Sequence, residues 1–205
     1  ASAFASLGCP TVLLDSAFNE IALDTIVINN KQAAGCATKE LIKNGHTNIG
    51  YLHSAFHINN FSERKDGYHR ELRRNGLSIP VEHEYKLTPT VDGAYSEMRE
   101  ILNHAPEMPT AFFADNDIIA LSAMRALKEK GYKIPEDISI IGIDDIPMCE
   151  LTDPPLTTMH VPKHQMGVQA VKRLLEKINS NSREVLTIEI FTFLVERQSI
   201  RNLNA

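Results

Sequence analysis

The chain has 205 residues, 43% of them hydrophobic and 23% charged, with a formal net charge of −5 at pH 7. This is the balance of a soluble globular protein made of one ordinary domain or two small lobes, and it excludes disorder as the default. The acidic surplus argues against the chain as it stands gripping nucleic acid by charge alone, and no apolar run approaches the ~18 residues a membrane span needs. The opening ASAFASLGCP has no basic stretch before an apolar one, so no signal peptide is read there. Cys9, Cys36 and Cys149 are widely spaced and odd in number, which fits a reduced, cytoplasmic setting better than a disulfide framework. They are read as buried structural thiols.

Strand-like and helix-like runs alternate along almost the whole chain. TVLLD over Thr11–Asp15 and TIVIN over Thr25–Asn29 are apolar strands, and a helix from about 31 to 44 follows, stopped at Gly45. A strand over Asn48–His53 leads to a helix from about 63 to 75, with Ser62 as its N-cap and Gly76 at its end. After a strand at Glu84–Leu87, Val91, Ala94, Tyr95, Met98, Ile101 and Leu102 fall on one face of a helix over 91–104. The strand Thr110–Ala114 is followed by a helix from about 116 to 130 that closes at Gly131. Then come a strand over Ile138–Asp144, a helix from about 163 to 179 with Met166, Ala170, Leu174, Leu175 and Ile178 in one stripe, and a strand over Leu186–Val195. Near-continuous apolar strands joined through helices by short connections predict an open, doubly wound α/β fold with parallel sheets.

In such sheets ligands bind outside the carboxyl ends of the strands. The residues that follow these strands are polar: Asp15, Asn29 and Asn30, Asp115-Asn116-Asp117, and Asp144-Asp145. Any one of them reads as a turn former or helix cap, whereas all of them at one end of the sheet predict a polar cleft. Acceptor-rich side chains of this kind suit a small ligand with many hydroxyl or amine donors. No GxSxG elbow, GxxxxGK[ST] phosphate loop or GxGxxG fingerprint occurs. The pairs His53/His57 and His160/His164 have helical metal spacing, but His53 ends a strand and Pro162 interrupts the second pair, so no metal site is expected. No cofactor and no catalytic constellation are expected either. The chain reads as a binding protein rather than an enzyme.

The segments ELIKNGHTNIGYLHS and ERKDGYHRELRRNGL, with their Gly-His before a strand and Arg-x-x-Gly-aromatic after it, resemble the LacI/GalR family of bacterial transcriptional regulators. The stretch PTAFFADNDIIALSAMRALKEKGYKIPEDISIIGIDDIPMCELTDPPLTTMHVP is similar to the same family almost throughout, and LVERQS resembles its closing strand. The resemblance runs in order from about Pro10 to Ser199. It implies a two-lobed, periplasmic-binding-protein-like (type I) fold that holds a small effector between its lobes. It also implies a homodimer, and operator DNA binding through an N-terminal helix-turn-helix that this chain lacks. No membrane partner is implied. By matching motif positions, the effector contacts fall on Asp15, Arg64, Asn116 and Asp144, with a sugar or sugar derivative as the expected ligand and a purine-like one left open. Carboxylates accept paired hydroxyl donors and a guanidinium fork returns donors to ring or hydroxyl oxygens. Arg64 alternatively forms a structural ion pair with Asp144 or a neighbour, and Asn116 alternatively serves as a helix cap. Pro89 stands where relatives often carry a ligand-stacking aromatic, with Phe56 or Phe61 either as the replacement or as packing at the lobe edge, and Asn29 stands where many carry Asp.

The family pattern places one lobe at 1–29 and 161–191 and the other at 30–160 and 192–205. Relatives set further strand–helix units ahead of ASLGCPTVLLD, so the first lobe is expected to be incomplete, the chain being a fragment of a longer regulator. Val12, Leu13, Leu14, Ile26 and Ile28 are then expected to lack neighbours to pair and bury against. The alternative function is that of a solute-binding protein feeding a sugar transporter, which shares the lobed fold.

Overall fold

The computed structural model describes residues 8–16, 22–104, 107–180 and 184–204. The chain divides into two compact units, Ala1–Asn29 with Val161–Thr192 and Asn30–His160 with Phe193–Ala205.

The larger unit is built on a six-stranded sheet among the described residues. In sheet order its strands are β4 (Glu84–Leu87), β3 (Ile49–Ser54), β5 (Ala111–Ala114), β6 (Ser139–Asp144), β7 (Thr157–His160) and β9 (Phe193–Val195). The first five run parallel, and β9 pairs antiparallel with β7 at one edge. Helices α1 (Asn30–Lys43) and α2 (Asn59–Arg74) pack on one another, as do α3 (Val91–Asn103) and α4 (Asp117–Glu129). Alternate strand residues serve the two packings. Leu52, Phe112, Ala114 and Ile140 join Met98, Leu102, Ala123 and Leu127 in one core, while the rings of Tyr51 and Phe113 stack with that of Tyr68 from α2. A sheet covered on both faces explains why AFFA and SIIGID show no polar alternation.

The smaller unit holds β1 (Val12–Leu14), β2 (Asp24–Ile28) and β8 (Thr187–Ile190), parallel in the order β1-β2-β8, with α6 (Lys163–Ser180) against β1 and β2. Asp24 is fully buried here and accepts from Arg173 Nε at 2.9 Å, the Leu186 N–H at 2.7 Å and Lys177. Burial alone pushes its carboxyl up, but these donors outweigh burial and hold it below the usual carboxylate range.

Several local expectations are corrected. Leu186–Val195 is not one strand: β8 pairs parallel with β2, and after the break at 191–192 β9 pairs antiparallel with β7. The PPLTTMH stretch supplies β7, and a four-residue helix, α5 (Met148–Leu151), precedes it. Helix α2 starts at Asn59, four residues before the expected start near 63, and its N-cap is Ile58, which offers no side-chain acceptor, instead of Ser62. Val91 is 59% exposed, so the buried stripe of α3 narrows to Ala94, Met98 and Leu102. On α6 only Met166 of the expected stripe is buried, and Leu175 and Ile178 are exposed. Ile26 and Ile28 do not lack neighbours, because β1 and β8 flank β2 and bury both; Leu14 alone of those five is exposed. Cys149 is buried as expected, whereas Cys9 and Cys36 are exposed.

Candidate functional site

Strands β5 and β6 are parallel neighbours, so their carboxyl ends bring the segments Asp115-Asn116-Asp117 and Asp144-Asp145 side by side. Asp144 and Asp145 have φ of 124° and 52°, a left-handed backbone that costs a non-glycine residue of order 1 kcal/mol or more and collects at binding sites. Asp15, after β1 in the smaller unit, is the other non-glycine residue with positive φ among those described, at 55°.

Arg64 enters this end of the sheet from the first half of α2 and is 5% exposed. Its Nε donates to Asn30 Oδ1 at 2.9 Å and its Nη1 donates to the backbone carbonyl of Asp115. Nη2 lies 3.9 Å from Asp144 Oδ1, at the edge of ion-pair distance. The guanidinium also lies over the Phe61 ring, 5.4 Å from its centre. The motif Arg-x-x-Gly-aromatic thereby has a physical content. Gly67 lies where a Cβ would be 2.5 Å from the Lys31 carbonyl oxygen, which lets α2 close on α1, and Tyr68 is buried with its hydroxyl donating to Ile49 O at 2.6 Å.

The three residues after β5 are each tied in a different direction. Asp115 is fully buried, and its carboxylate accepts from the Tyr51 hydroxyl and from the Ser54 N–H at 2.6 Å, both on β3. Burial raises its carboxyl to about 6 despite those donors and the nearby charges of Arg64 and Lys65. Asn116 is the N-cap of α4, its Oδ1 accepting from the Ile119 N–H at 2.9 Å, so that its amide nitrogen is the donor not used by the cap. Asp117 turns inward and accepts from Thr158 Oγ1 at 2.6 Å and from the Ile146 N–H and Cys149 Sγ at 3.1 Å each. Burial raises this carboxyl too. Gly142 makes room for it, since a Cβ there would lie 2.2 Å from Asp117 Oδ1.

Asp145 faces the other edge. It accepts from His160 Nδ1 and from Arg197 Nη2, each at 2.7 Å, and Arg197 also reaches Glu150 at 3.1 Å. Burial pushes the Asp145 carboxyl up, but these two donors outweigh it and hold the group below its ordinary value. The rings of His160 and Phe193 stack at 4.6 Å.

Arg64, Asn116 and Asp144 thus meet at one end of the six-stranded sheet, while Asp15 belongs to the smaller unit, exposed, with its N–H donating to Ile26 O at 2.8 Å. Beside Asp115 a cavity of about 150 Å³ is lined by Tyr51, His53, Phe56, His57, Phe61 and Lys65, among others. Phe56 is 54% exposed at its wall. Among the described residues no group of three or more His, Cys, Asp or Glu is arranged to hold a metal ion, and no helix is long and apolar enough to cross a membrane. Sequence reasoning read Asn30 and Asp115 singly as turn or cap residues and together with their neighbours as a polar cleft, but missed that both grip Arg64. The signal available was a polar residue directly after a strand, which caps and ligand contacts share.

The periplasmic binding protein-like domain model matches residues 38–200. The chain is 36% identical to the HTH-type transcriptional repressor PurR of Actinobacillus pleuropneumoniae serotype 3, covering 98% of this chain and 60% of that protein. It is also 36% identical to PurR of Vibrio atlanticus, over 95% and 58% of the two chains. The chain therefore spans about three fifths of the length of these curated relatives. Among solved structures, the CelR regulator in complex with cellobiose superposes with a TM-score of 0.87 at 28% identity, over 96% of this chain and 60% of that one. A LacI family regulator from Enterococcus faecium with bound ribose gives 0.86 at 29% identity, over 98% and 74%.

Proposed function

Because the chain belongs to the periplasmic binding protein-like domain family, in the form that LacI-family regulators carry, we propose that it senses a small effector and passes that signal to operator DNA through a head outside this chain. The observation that carries this reading is the Arg64 guanidinium, buried and fixed on two sides, one of them the Asp115 carbonyl directly before Asn116, with its remaining nitrogen turned toward Asp144. A preset donor fork beside a carboxylate is complementary to a ligand with neighbouring hydroxyls. Asp15 keeps its place in the proposal on the sequence resemblance. The effector is a sugar or sugar derivative, a choice supported by the ribose and cellobiose bound to similar regulators.

The regulator acts as a homodimer in the cytoplasm, and effector binding and operator binding oppose or assist one another through a shared conformational equilibrium. The similarity to repressors favours this reading over a solute-binding protein of a transporter. A role without catalysis belongs to the same reading: the thiol and hydroxyl that Asp117 accepts from, those of Cys149 and Thr158, are fully buried, and burial pushes the Cys149 thiol up, away from its reactive thiolate.

The test is calorimetric binding of ribose, cellobiose and purine bases to the wild type and to Asp144→Asn, with operator binding measured in the complete regulator. The expected outcome is that one ligand class binds the wild type. Asp144→Asn loses at least tenfold in affinity for it and stops responding to it, yet still binds the operator. A variant that responds to the ligand as the wild type does would overturn the assignment.

A further inference from the structure

The Arg64 guanidinium carries the proposed site, and apart from the Phe61 ring beneath it, it is anchored from outside its own helix. One of its two anchors is the Asn30 side chain and the other is a backbone carbonyl, that of Asp115. A carbonyl at a strand end is a precise acceptor only if its peptide is itself held. Here the holding group is the carboxylate of the same residue, which reaches back to β3 and accepts from the Tyr51 hydroxyl and the Ser54 N–H. We propose that Asp115 is the positioning residue for Arg64: its carboxylate clamps the end of β5 to β3, and its carbonyl thereby sets the direction in which Arg64 presents Nη2. The inference rests on the proposed site at Arg64 and goes beyond it, because it says what regulates the geometry of that site.

The chemistry of the clamp gives it a second property. A carboxylate facing two donors has the right number of acceptors only while ionised; once protonated it brings a third hydrogen to the same place. Burial raises this carboxyl to about 6, so the change falls in an accessible range. The charged and titratable groups around it are Tyr51 and His53 on β3, His57 in the following loop, Arg64 and Lys65 on α2, and Glu84 on β4 as the partner of Lys65. Burial lowers His53, so its proton is lost at lower pH than usual. The Arg64 environment is therefore expected to differ on the two sides of pH ~6, with Asp115 as the group responsible.

Nitrogen-15 NMR of the arginine side chains tests this without a ligand, on the whole chain. In the wild type the Arg64 Nη1 hydrogens, held by the Asp115 carbonyl, exchange slowly with water, and the Nη1 chemical shift titrates with a midpoint near 6. In Asp115→Asn the titration disappears and exchange becomes roughly tenfold faster, about the loss of one hydrogen bond. Tyr51→Phe, which removes one donor and keeps the carboxylate, speeds exchange less and leaves a titration with a shifted midpoint. Unchanged exchange in both variants overturns the proposal, as does a titration that survives in Asp115→Asn, which would assign it to another group. Binding of ribose and cellobiose is measured on the same samples: an Arg64 signal that behaves as expected in a chain that binds neither sugar counts against the sugar reading and in favour of the positioning role.

Discussion

Burial raises the Asp115 carboxyl from 3.8 to about 6, so the folded chain binds its proton more tightly than the unfolded chain does between those values. Stability on this account is highest below pH ~4 and falls as pH rises through 6, the opposite of the usual salt-bridged aspartate. Relative to Asp115→Asn, which has no such proton, the wild type should gain about 2–3 kcal/mol between pH 7 and pH 4. Urea unfolding of both proteins at the two pH values measures it, and a difference that stays level with pH would show that Asp115 is not strained by its burial. His46 behaves in the opposite sense. It is 1% exposed, with Nδ1 paired to Thr110 Oγ1 and Nε2 to the Arg201 carbonyl, and burial lowers its pKa. Its neutral form stabilises the fold above the unfolded pKa of ~6.5, and that contribution is lost as pH falls through it. His46→Gln is expected to flatten the acid limb of a Tm-against-pH curve near pH 6, and a limb unchanged in slope would exclude His46 as its source. At this scale the sequence was half legible: Gly-His marked a helix end, but only the fold brings Thr110 and Arg201 to that histidine.

At the scale of elements the two glycines at positions 67 and 167 make a pair of opposed predictions. Both sit inside helices, where alanine is favoured by about 1 kcal/mol. Gly67 faces the Lys31 carbonyl and Ala34 across the contact between α1 and α2, and a Cβ would come within 2.5 Å of the former and 3.0 Å of the latter. Gly167 on α6 meets nothing within 4 Å. Gly67→Ala should therefore destabilise by roughly 1–3 kcal/mol through overpacking, despite its propensity gain. Gly167→Ala should stabilise by about 0.5–1 kcal/mol. Thermal unfolding of the two variants decides; a stabilised Gly67→Ala would mean that α1 and α2 separate without cost. Helix ends were well marked in the sequence, since Gly45, Gly76 and Gly131 all adopt positive φ just after α1, α2 and α4. Strand ends were less so. Leu186–Val195 reads as one apolar run because β8 and β9 differ only in their partners, and a strand's own residues do not name the strand it pairs with.

For the molecule as a whole, the two units differ in how much of their apolar surface is covered. The six-stranded sheet has helices on both faces and a core of fully buried Leu52, Phe112, Phe113, Ile140 and Ile141. In the smaller unit Leu14, Val171, Leu175 and Ile178 are each about half exposed. Local opening costs least where few apolar contacts are lost, so amides of β2 should exchange with deuterium well before those of β3, β5 and β6. Native-state exchange read by NMR gives the order, and β2 amides among the last to exchange would refute it.

What the sequence by itself determined is the alternation of buried strands and capped helices, hence the α/β class, because hydrophobic period and glycine or asparagine punctuation act within a few residues of one another. It also placed polar residues at the strand ends. What only the tertiary structure decided is which of them face outward and which are spent inside. Asp115, Asn116 and Asp117 are adjacent and chemically alike, yet one clamps β3, one caps α4 and one is buried against Thr158 and Cys149. Their separate fates depend on donors 29 to 64 positions away along the chain, or only 3 in the case of the cap. Only when β3, β5 and β7 lie in one sheet does the chain bring such donors within hydrogen-bonding distance, and no local pattern encodes that meeting.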